Sequence, residues 1–390
     1  MKSARRLGLL AALATCALSA TPALAAEAPA WSYQLVYTAD VAGAVAGDAK
    51  KAGRYLDNID LIFDGDLEKA VGWRGASVHL YVLNNSGGRP NDVAGTLQGV
   101  DNIEVDHARL RLYELWVEQK FAGDRASVRA GLYDLNSEFY STDASGLLIA
   151  PPFGIGSEFA STGPNGPSIF PLTALAVRLK VGQETGPYVQ AAILSAHAGA
   201  LSDPEHPVPG LDRGAIAIAE AGYRGPAHVS LGGWTYTRRQ DDLNALTPEG
   251  EPQKTRAYGG YLLAERQVWA SGDDHKLSAF FRAGASDGHT TPFSGGWQAG
   301  LLAEGVTPGR PKSSASIGVE QAFLSPAARK AARGVGGDPS TAEDSVEATY
   351  SDTFGRLSIQ PDLQLIHRPG GDRSRDLALV AAMRFTVVLH

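Results

Sequence analysis

The side chains of this chain whose types could do chemistry are charged or aromatic, and they stand at alternate positions within apolar stretches. One stretch carries the densest set, with Glu114, Trp116 and Glu118 on one parity and Arg109 and Arg111 on the other. Arginine offers a flat fork of hydrogen-bond donors, a carboxylate offers acceptors, and an aromatic ring covers a flat apolar surface. Such a set is suited to non-covalent contact with a ligand.

Motifs for catalysis, cofactors and metals are missing from the sequence. It contains no G-x-S-x-G, no Walker A pattern and no H-E-x-x-H, and its nine histidines are scattered. Asp60, Asp64 and Asp66 do not meet the spacing of an EF-hand and are typical of a solvated face. We therefore expect no catalytic residue, no metal and no cofactor.

Composition narrows the class of protein. The 390 residues carry a formal net charge of -7, which argues against a nucleic-acid-binding protein. A single cysteine excludes a disulfide scaffold.

The N-terminus has the pattern of a targeting segment. A basic start is followed by an apolar run over residues 7–20 and by the small-x-small pattern Ala23-Leu24-Ala25. This predicts a signal peptide over residues 1–25 and a mature chain that begins at Ala26. Cys16 lies inside the apolar run and would be removed with it.

The sequence after residue 26 predicts many short β-strands. No run of 18 apolar residues follows residue 26, whereas alternation of apolar and polar residues recurs throughout. The predicted strands are 31–38, 55–64, 76–83, 108–119, 126–134, 172–181, 186–195, 214–222, 227–237, 257–269, 276–285, 297–304, 314–323, 345–352, 356–367 and 376–389.

One of these strands breaks its own alternation. The apolar parity switches between Leu112 and Leu115, which predicts a β-bulge. If the bulge lies before Leu115, Arg109 and Arg111 point to the same face as Glu114; without it they point to the opposite face.

The predicted connections alternate in length, being long after odd-numbered strands and mostly short after even-numbered ones. Outer-membrane barrels show this alternation because their periplasmic turns are short and their external loops long. A sheet in a membrane must close so that all its backbone groups are bonded, and sixteen strands enclose a water-filled lumen. The prediction is an all-β, transmembrane antiparallel barrel of sixteen strands, forming one domain over residues 26–390.

The longest predicted connection, residues 135–171, is rich in Gly, Pro, Ser and aromatic residues. Loops of this length are usually functional, and its apolar side chains need the cover that a lumen offers. We expect it to fold inward and to set the narrowest point, with Glu138, Asp143 and Glu158 among the charges that line or brace it. The alternative is a segment that packs outward, as a lid or a contact in a trimer.

Several stretches resemble the carbohydrate-selective porin (OprB-type) family of Gram-negative bacteria. They are YLDNIDL at 55–61, LQGVDNIE at 97–104, GLYDLNSEFY at 131–140, GPNGPSIFP at 163–171, IQPDLQ at 359–364 and PGG at 369–371. The resemblance covers residues 55–385. One departure is the C-terminus, where His390 replaces the usual terminal aromatic residue and weakens the expected assembly signal.

The resemblance implies an outer-membrane channel with an inward-folded loop, through which sugars such as glucose diffuse passively. It also implies contact with outer-membrane lipid, insertion by the barrel-assembly machinery and a possible homotrimer, but no nucleic acid. The residues expected to contact sugar are Arg109, Arg111, Glu114, Trp116, Glu118, Arg129, Glu138, Asp143, Glu158, Arg178, Arg282, Glu320 and Arg384.

Alternative interpretations of these residues and of the function remain open. Each charge could belong to a solvated lumen wall, and Trp116 could lie at the membrane interface. The alternatives for the whole chain are an outer-membrane β-barrel enzyme, a non-selective porin and a soluble secreted β-protein.

Overall fold

The computed structural model describes residues 29–199, 210–272 and 274–390. The predicted signal peptide and the predicted start at Ala26 lie outside these residues. Over the described ranges, no helix has the length and apolar character needed to cross a membrane.

Antiparallel strands make up almost all of the described chain. The strands are β1 (Trp31–Gly47), β2 (Ala52–Asp66), β3 (Ala76–Gly87), β4 (Arg109–Phe121), β5 (Ala126–Tyr133), β6 (Ala174–Gly182), β7 (Gly186–Ser195), β8 (Ala215–Arg224), β9 (Ala227–Tyr236), β10 (Gln240–Leu246), β11 (Pro252–Thr255), β12 (Tyr258–Ser271), β13 (His275–Ser286), β14 (Phe293–Glu304), β15 (Ser314–Leu324), β16 (Ala342–Phe354), β17 (Leu357–His367) and β18 (Leu377–Val388). The helices are short: α1 (Leu67–Val71), α2 (Asn91–Ala94), α3 (Ser157–Ala160) and α4 (Pro326–Gly334).

Sixteen of these strands close into a barrel. Each pairs with its neighbour along the chain, β12 follows β9 in the sheet, and β1 pairs with β18 to complete the circle. β10 and β11 form a separate two-stranded hairpin. The predicted all-β architecture of sixteen antiparallel strands is confirmed.

Alternate side chains separate the two faces of the wall. In β6, Leu175, Val177 and Leu179 are exposed on the outer face, whereas Ala176 and Arg178 are buried on the inner one. An apolar outer face suits lipid, and polar groups on the inner face can reach water or one another. Period-two patterning therefore places the charge of Arg178 inside the barrel.

The predicted bulge in β4 is confirmed. Tyr81 pairs with Glu114 and Val82 pairs with Leu112, so that Tyr113 is the extra residue. One inserted residue shifts the alternation of inward and outward side chains by one position. The odd-numbered residues before Tyr113 and the even-numbered residues after it therefore point to the same face. Arg109, Arg111, Glu114, Trp116 and Glu118 consequently all face the lumen.

The structure differs from the predicted strands in two places. β1 continues from the predicted end at residue 38 to Gly47, and residues 48–51 alone connect it to β2. The predicted strand stopped short because Asp40 interrupts the apolar pattern, yet this side chain faces the lumen and pairs with Arg384 across the β1–β18 seam. The other difference is the hairpin β10–β11, which lies within the predicted connection between the strands at 227–237 and 257–269.

The C-terminal histidine completes the same seam. The peptide N–H of Leu35 donates to the carbonyl of His390, and the imidazole stacks on Tyr33 with 3.9 Å between ring centroids. The ring of His390 thus makes the kind of contact that a terminal aromatic residue makes.

Candidate functional site

Residues 135–171, here called the long inward segment, connect β5 to β6 through the interior of the barrel. Their backbone is bonded to side chains on strands across the lumen. The N–H groups of Ile149 and Ala150 donate to the carboxylate of Glu347 on β16, at 2.5 and 3.0 Å. Gln360 on β17 donates to the carbonyl of Leu147 at 2.7 Å.

Arg282 on β13 makes three hydrogen bonds to the backbone of this segment. Its side chain is wholly buried, and its guanidinium donates to the carbonyls of Tyr140, Pro152 and Gly154 at 3.1, 2.7 and 2.7 Å. Three acceptors around one cation compensate for much of the cost of burying its charge. The segment therefore binds tightly to this part of the wall.

Aromatic side chains fill the space between the long inward segment and the wall. Tyr140 stacks on Tyr261 with 4.1 Å between centroids, and Phe159 stacks on Trp234 at 4.0 Å. These rings belong to a buried cluster that spans the segment, strands β5–β9 and β12. Burial of such rings provides a large part of the packing energy of a core.

A second segment, residues 88–108 between β3 and β4, also turns inward and is here called the short inward segment. The carboxylate of Glu343 accepts from the N–H groups of Leu97 and Gln98 at 3.0–3.1 Å. Gln98 donates to Glu320 at 2.9 Å, and Gln364 donates to the carbonyl of Val100 at 2.8 Å. The sequence pattern did not predict that this loop enters the lumen.

The two inward segments leave a cavity of about 640 Å³ against the opposite wall. Its lining combines charged, amide, hydroxyl and aromatic side chains. Among the lining residues are Thr38, Asn58, Asp60, Tyr81, Gln98, Asp101, Asn102, Glu104, Tyr113, Asp134, Asn136, Ser157, Ser161, Phe170, Gln360, Arg384 and Thr386. A second cavity of about 580 Å³, which Arg111 helps to line, adjoins it and shares Gln98 and Asp101.

A row of two carboxylates and two tyrosines forms part of the cavity wall. The hydroxyl of Tyr81 donates to Asp60 at 2.6 Å, and that of Tyr113 donates to Asp134 at 2.6 Å. The two tyrosine rings meet edge to face with 5.1 Å between centroids. Burial, with a smaller effect from the charge of Glu114, raises the pKa of Asp134 to about 7.

Arg384 is the predicted site residue that lines this cavity. Its guanidinium donates to the carboxylate of Asp40 from both Nε and Nη2, the latter at 2.7 Å, and to Asn102 at 2.7 Å. It also lies 3.4 Å from Asp101 of the short inward segment. Arg384 therefore links the β1–β18 seam to that segment.

Five predicted residues come together elsewhere, on β4–β6 and the start of the long inward segment. Glu118 and Glu138 share Arg129 and Arg178, with the Arg129–Glu118 contact at 2.7 Å and the Arg178–Glu138 contact at 2.8 Å. Burial acts to raise the pKa of Glu138, but the charges of the two arginines outweigh it and the pKa lies below its usual value. Trp116 joins this group, because the guanidinium of Arg129 lies 3.6 Å from its ring centroid.

The remaining predicted residues are spread over the inner wall. Glu114 accepts from the N–H of Asp134 at 2.9 Å, and Arg111 donates to Asn85 at 2.8 Å. Arg109 pairs with Asn85 in the β3–β4 ladder, on the same inward face. Asp143 is exposed near the middle of the long inward segment.

Glu158 is fully buried on α3, against the inner wall. Its Oε1 accepts from the hydroxyl of Tyr140 at 2.8 Å, and burial raises the pKa of its carboxyl. A Cβ on Gly284 would lie 2.0 Å from this oxygen, so the close approach of α3 to β13 requires glycine there.

The predicted residues and the cavity lining overlap only partly. Arg282 and Glu320 on the wall bind the inward segments, whereas Glu138 and Glu158 belong to the long inward segment and bond to Arg178 and Tyr140. The cavity lining also includes residues that were not selected from the sequence, among them Asp60, Tyr81, Asp134, Asn136 and Phe170. A usable signal existed: the stretches at 55–61, 97–104, 131–140, 163–171 and 359–364 that carry the family resemblance all contribute to the cavity lining.

The arrangement offers groups for non-covalent binding. Among the described residues, no group of three or more His, Cys, Asp or Glu side chains is placed to hold a metal ion. The polar groups around the cavity offer donors and acceptors, and the tyrosine and phenylalanine rings offer flat apolar faces.

Comparison with known proteins identifies the family. The model of the carbohydrate-selective porin, OprB family matches residues 50–389. Porin B of Pseudomonas aeruginosa is 24% identical over 92% of this chain and 87% of its own length. The high-pH structure of Pseudomonas putida OprB superposes with a TM-score of 0.83 at 24% identity, over 92% of this chain and 94% of that one.

A second structure of the same relative, at low pH, has a TM-score of 0.58 at 20% identity and covers 92% and 93% of the two chains. These superpositions match the barrel fold described above. The chain belongs to the carbohydrate-selective porin, OprB family, and is an outer-membrane carbohydrate porin.

Proposed function

We propose that the 640 Å³ cavity is the selective passage and that the long inward segment sets its narrowest point. The observation that carries the proposal is that both inward segments are bonded to β13, β15, β16 and β17 and leave this polar, aromatic-lined space beside the opposite wall. The proposed permeants are glucose-like monosaccharides and small oligosaccharides.

The lining chemistry suits neutral sugars. The amides of Asn58, Asn102 and Gln360 can both donate to and accept from sugar hydroxyls. The rings of Tyr81 and Phe170 can cover the apolar face of a pyranose. A wide sixteen-stranded lumen cannot make such short contacts unless a segment narrows it.

Transport through this passage is proposed to be passive. The sequence carries no nucleotide-binding motif, and a channel of this kind conducts down the gradient of its solute. Glucose entry into proteoliposomes should therefore follow the concentration difference. A requirement for ATP or for a membrane potential would contradict the proposal.

Deletion of residues 145–165 tests the role of the long inward segment. Single-channel conductance should rise and discrimination between glucose and larger sugars should fall, because the narrow point is removed. The matched control deletes residues 242–253 of the hairpin β10–β11, which lies outside the barrel sheet. Unchanged conductance in the first variant would show that another part of the chain forms the constriction.

Export and assembly complete the proposal. Removal of residues 1–25 during export predicts Ala26 as the N-terminal residue of protein isolated from outer membranes. The barrel-assembly machinery would insert the chain, and depletion of that machinery should lower the level of this protein in the outer membrane.

A homotrimer is proposed because Asp57 lies on the outer face, bonded to Tyr37 and Tyr55, where a neighbouring protomer would shield it from lipid. Chemical crosslinking in detergent tests this oligomeric state.

A further inference from the structure

The wall of the proposed passage carries unequal numbers of acidic and basic side chains. Asp60, Asp101, Glu104 and Asp134 line the cavity, and Arg384 is the single cationic residue among the described residues that do so. The charge of Arg384 is already compensated by Asp40 and Asp101. The carboxylates therefore outweigh the cations along this wall.

Asp60 and Asp134 are fixed in position but remain in contact with the cavity. Both are partly exposed, and each accepts from a tyrosine hydroxyl. Asp60 uses Oδ1 for its bonds to Tyr81 and Asn58, and Oδ2 has no hydrogen bond in the described part of the chain. No arginine or lysine forms an ion pair with either side chain among the described residues.

Asp101 is a third acidic side chain on this wall, but it is completely buried and lies 3.4 Å from the guanidinium of Arg384. It is therefore not placed to contact a permeant, and the accessible carboxylates of the described lining without an ion-pair partner are those of Asp60 and Asp134.

We propose that Asp60 and Asp134 are specificity-determining residues that make the passage prefer neutral and cationic sugars over anionic ones such as uronic and aldonic acids. The inference rests on the proposed function of the cavity and adds the sign of its charge selectivity. Carboxylates within a narrow, low-dielectric passage concentrate cations and repel anions. A unit charge about 6 Å from the permeant in water-like surroundings changes its local concentration by about threefold.

The sharpest test uses a salt whose two ions are polyols of equal length. A gradient of N-methylglucamine gluconate across a planar bilayer at pH 8 should give a reversal potential with the dilute side positive, because the cation passes more readily. The permeability ratio of cation to anion should fall about tenfold in Asp60→Asn and in Asp134→Asn, because each charge raises the local concentration of the cation and lowers that of the anion by about threefold. The ratio should fall about a hundredfold in the double variant. Asparagine keeps an oxygen that can accept from the tyrosine hydroxyl.

The matched control is Asp57→Asn. Asp57 lies on the same strand as Asp60 and is likewise bonded to tyrosine hydroxyls, but it faces outward. Its variant should keep the wild-type ratio. If a variant of Asp134 fails to fold, the reversal potential of the wild type and the permeability ratio of Asp60→Asn still test the charge selectivity.

A negative potential on the dilute side, or a wild-type ratio in the double variant, would overturn the inference. Glucose entry into proteoliposomes is measured in parallel and reports on the proposed function alone. Normal glucose entry with anion preference rejects only the charge selectivity, whereas absent glucose entry rejects the sugar passage itself.

Discussion

The two halves of the lumen use the same kinds of side chain in different ways. On β13–β17, the inward charges bond to the backbone of the inward segments, as Arg282 does with three carbonyls and Glu347 with two N–H groups. On the half that contains β1, β2 and β18, the inward charges bond to other side chains, as Asp60 does with Tyr81 and Arg384 with Asp40.

The difference follows from where the chain crosses the lumen. Backbone groups of an irregular segment that are removed from water need partners, and the wall beneath the segment supplies them. Where no segment covers the wall, the same residue types pair with each other and keep part of their surface at the cavity. We therefore assign stability to the covered half, β13–β17, and the proposed passage to the open half, which contains β1, β2 and β18.

The largest expected effect comes from breaking the covered half. Arg282→Met removes the donor to three buried carbonyls and should lower the free energy of unfolding by roughly 3–5 kcal/mol, measured by urea denaturation in detergent micelles. The freed segment should also make single-channel current noisier.

The control on the open half is Arg384→Met, whose bonds go to side chains rather than to the long inward segment. It releases only the side chains of Asp40, Asp101 and Asn102, and should therefore raise the noise of the open channel less than Arg282→Met does. Equal noise in both variants would contradict the division of the lumen into a covered and an open half.

The second prediction tests the assignment of inner and outer faces on β18. Leu379 pairs with Leu365 on the outer face, whereas Thr386 lines the cavity. Leu379→Arg should destabilise the barrel by about 2–4 kcal/mol if it faces the middle of the bilayer, measured by reversible unfolding in lipid vesicles. Thr386→Arg should cost little, and a similar cost for both variants would be inconsistent with the assigned faces.

The strand pattern could be predicted from the sequence because alternation records directly which face each side chain takes. The number of strands, their order and the bulge near Tyr113 follow from that pattern alone. The extension of β1 through Asp40 could not, since it depends on Arg384 from the far end of the chain.

The site was less predictable than the fold. Alternation does not encode the path of a loop, so the entry of residues 88–108 into the lumen was not foreseen. Glu320 and Arg282 have the residue type and the inward position expected of ligand-binding side chains. An inward segment packs against each of them, so their hydrogen bonds go to that segment. Asp60 and Asp134 are likewise charged, but both keep part of their surface at the cavity.

The smallest expected effect concerns pH. Because the pKa of Asp134 is raised to about 7, the group is protonated at pH 6 and ionised at pH 8. The charged groups that surround it are Glu114, whose carboxylate accepts its N–H, and Asp60 across the two tyrosines. The cation-to-anion permeability ratio of the wild type should therefore rise by at most about tenfold from pH 6 to pH 8.

The measurement is the reversal potential in N-methylglucamine gluconate at both pH values. Asp134→Asn should lose most of the pH dependence, whereas Asp60→Asn should retain it. An unchanged pH dependence in Asp134→Asn would assign the titration to another group.

Cysteine accessibility tests the division of the lumen most directly, because Cys16 is the single cysteine of the sequence and lies in the predicted signal peptide. Thr386 and Ser345 are small polar residues on the inner face, the first lining the passage and the second buried on β16 beneath the inward segments. In a chain whose Cys16 is replaced by alanine, a cationic methanethiosulfonate reagent should react with Thr386→Cys and reduce the single-channel current. Ser345→Cys should conduct normally and resist the reagent. Rapid block at Ser345→Cys, with no effect at Thr386→Cys, would place the passage on the other half of the lumen and contradict this account.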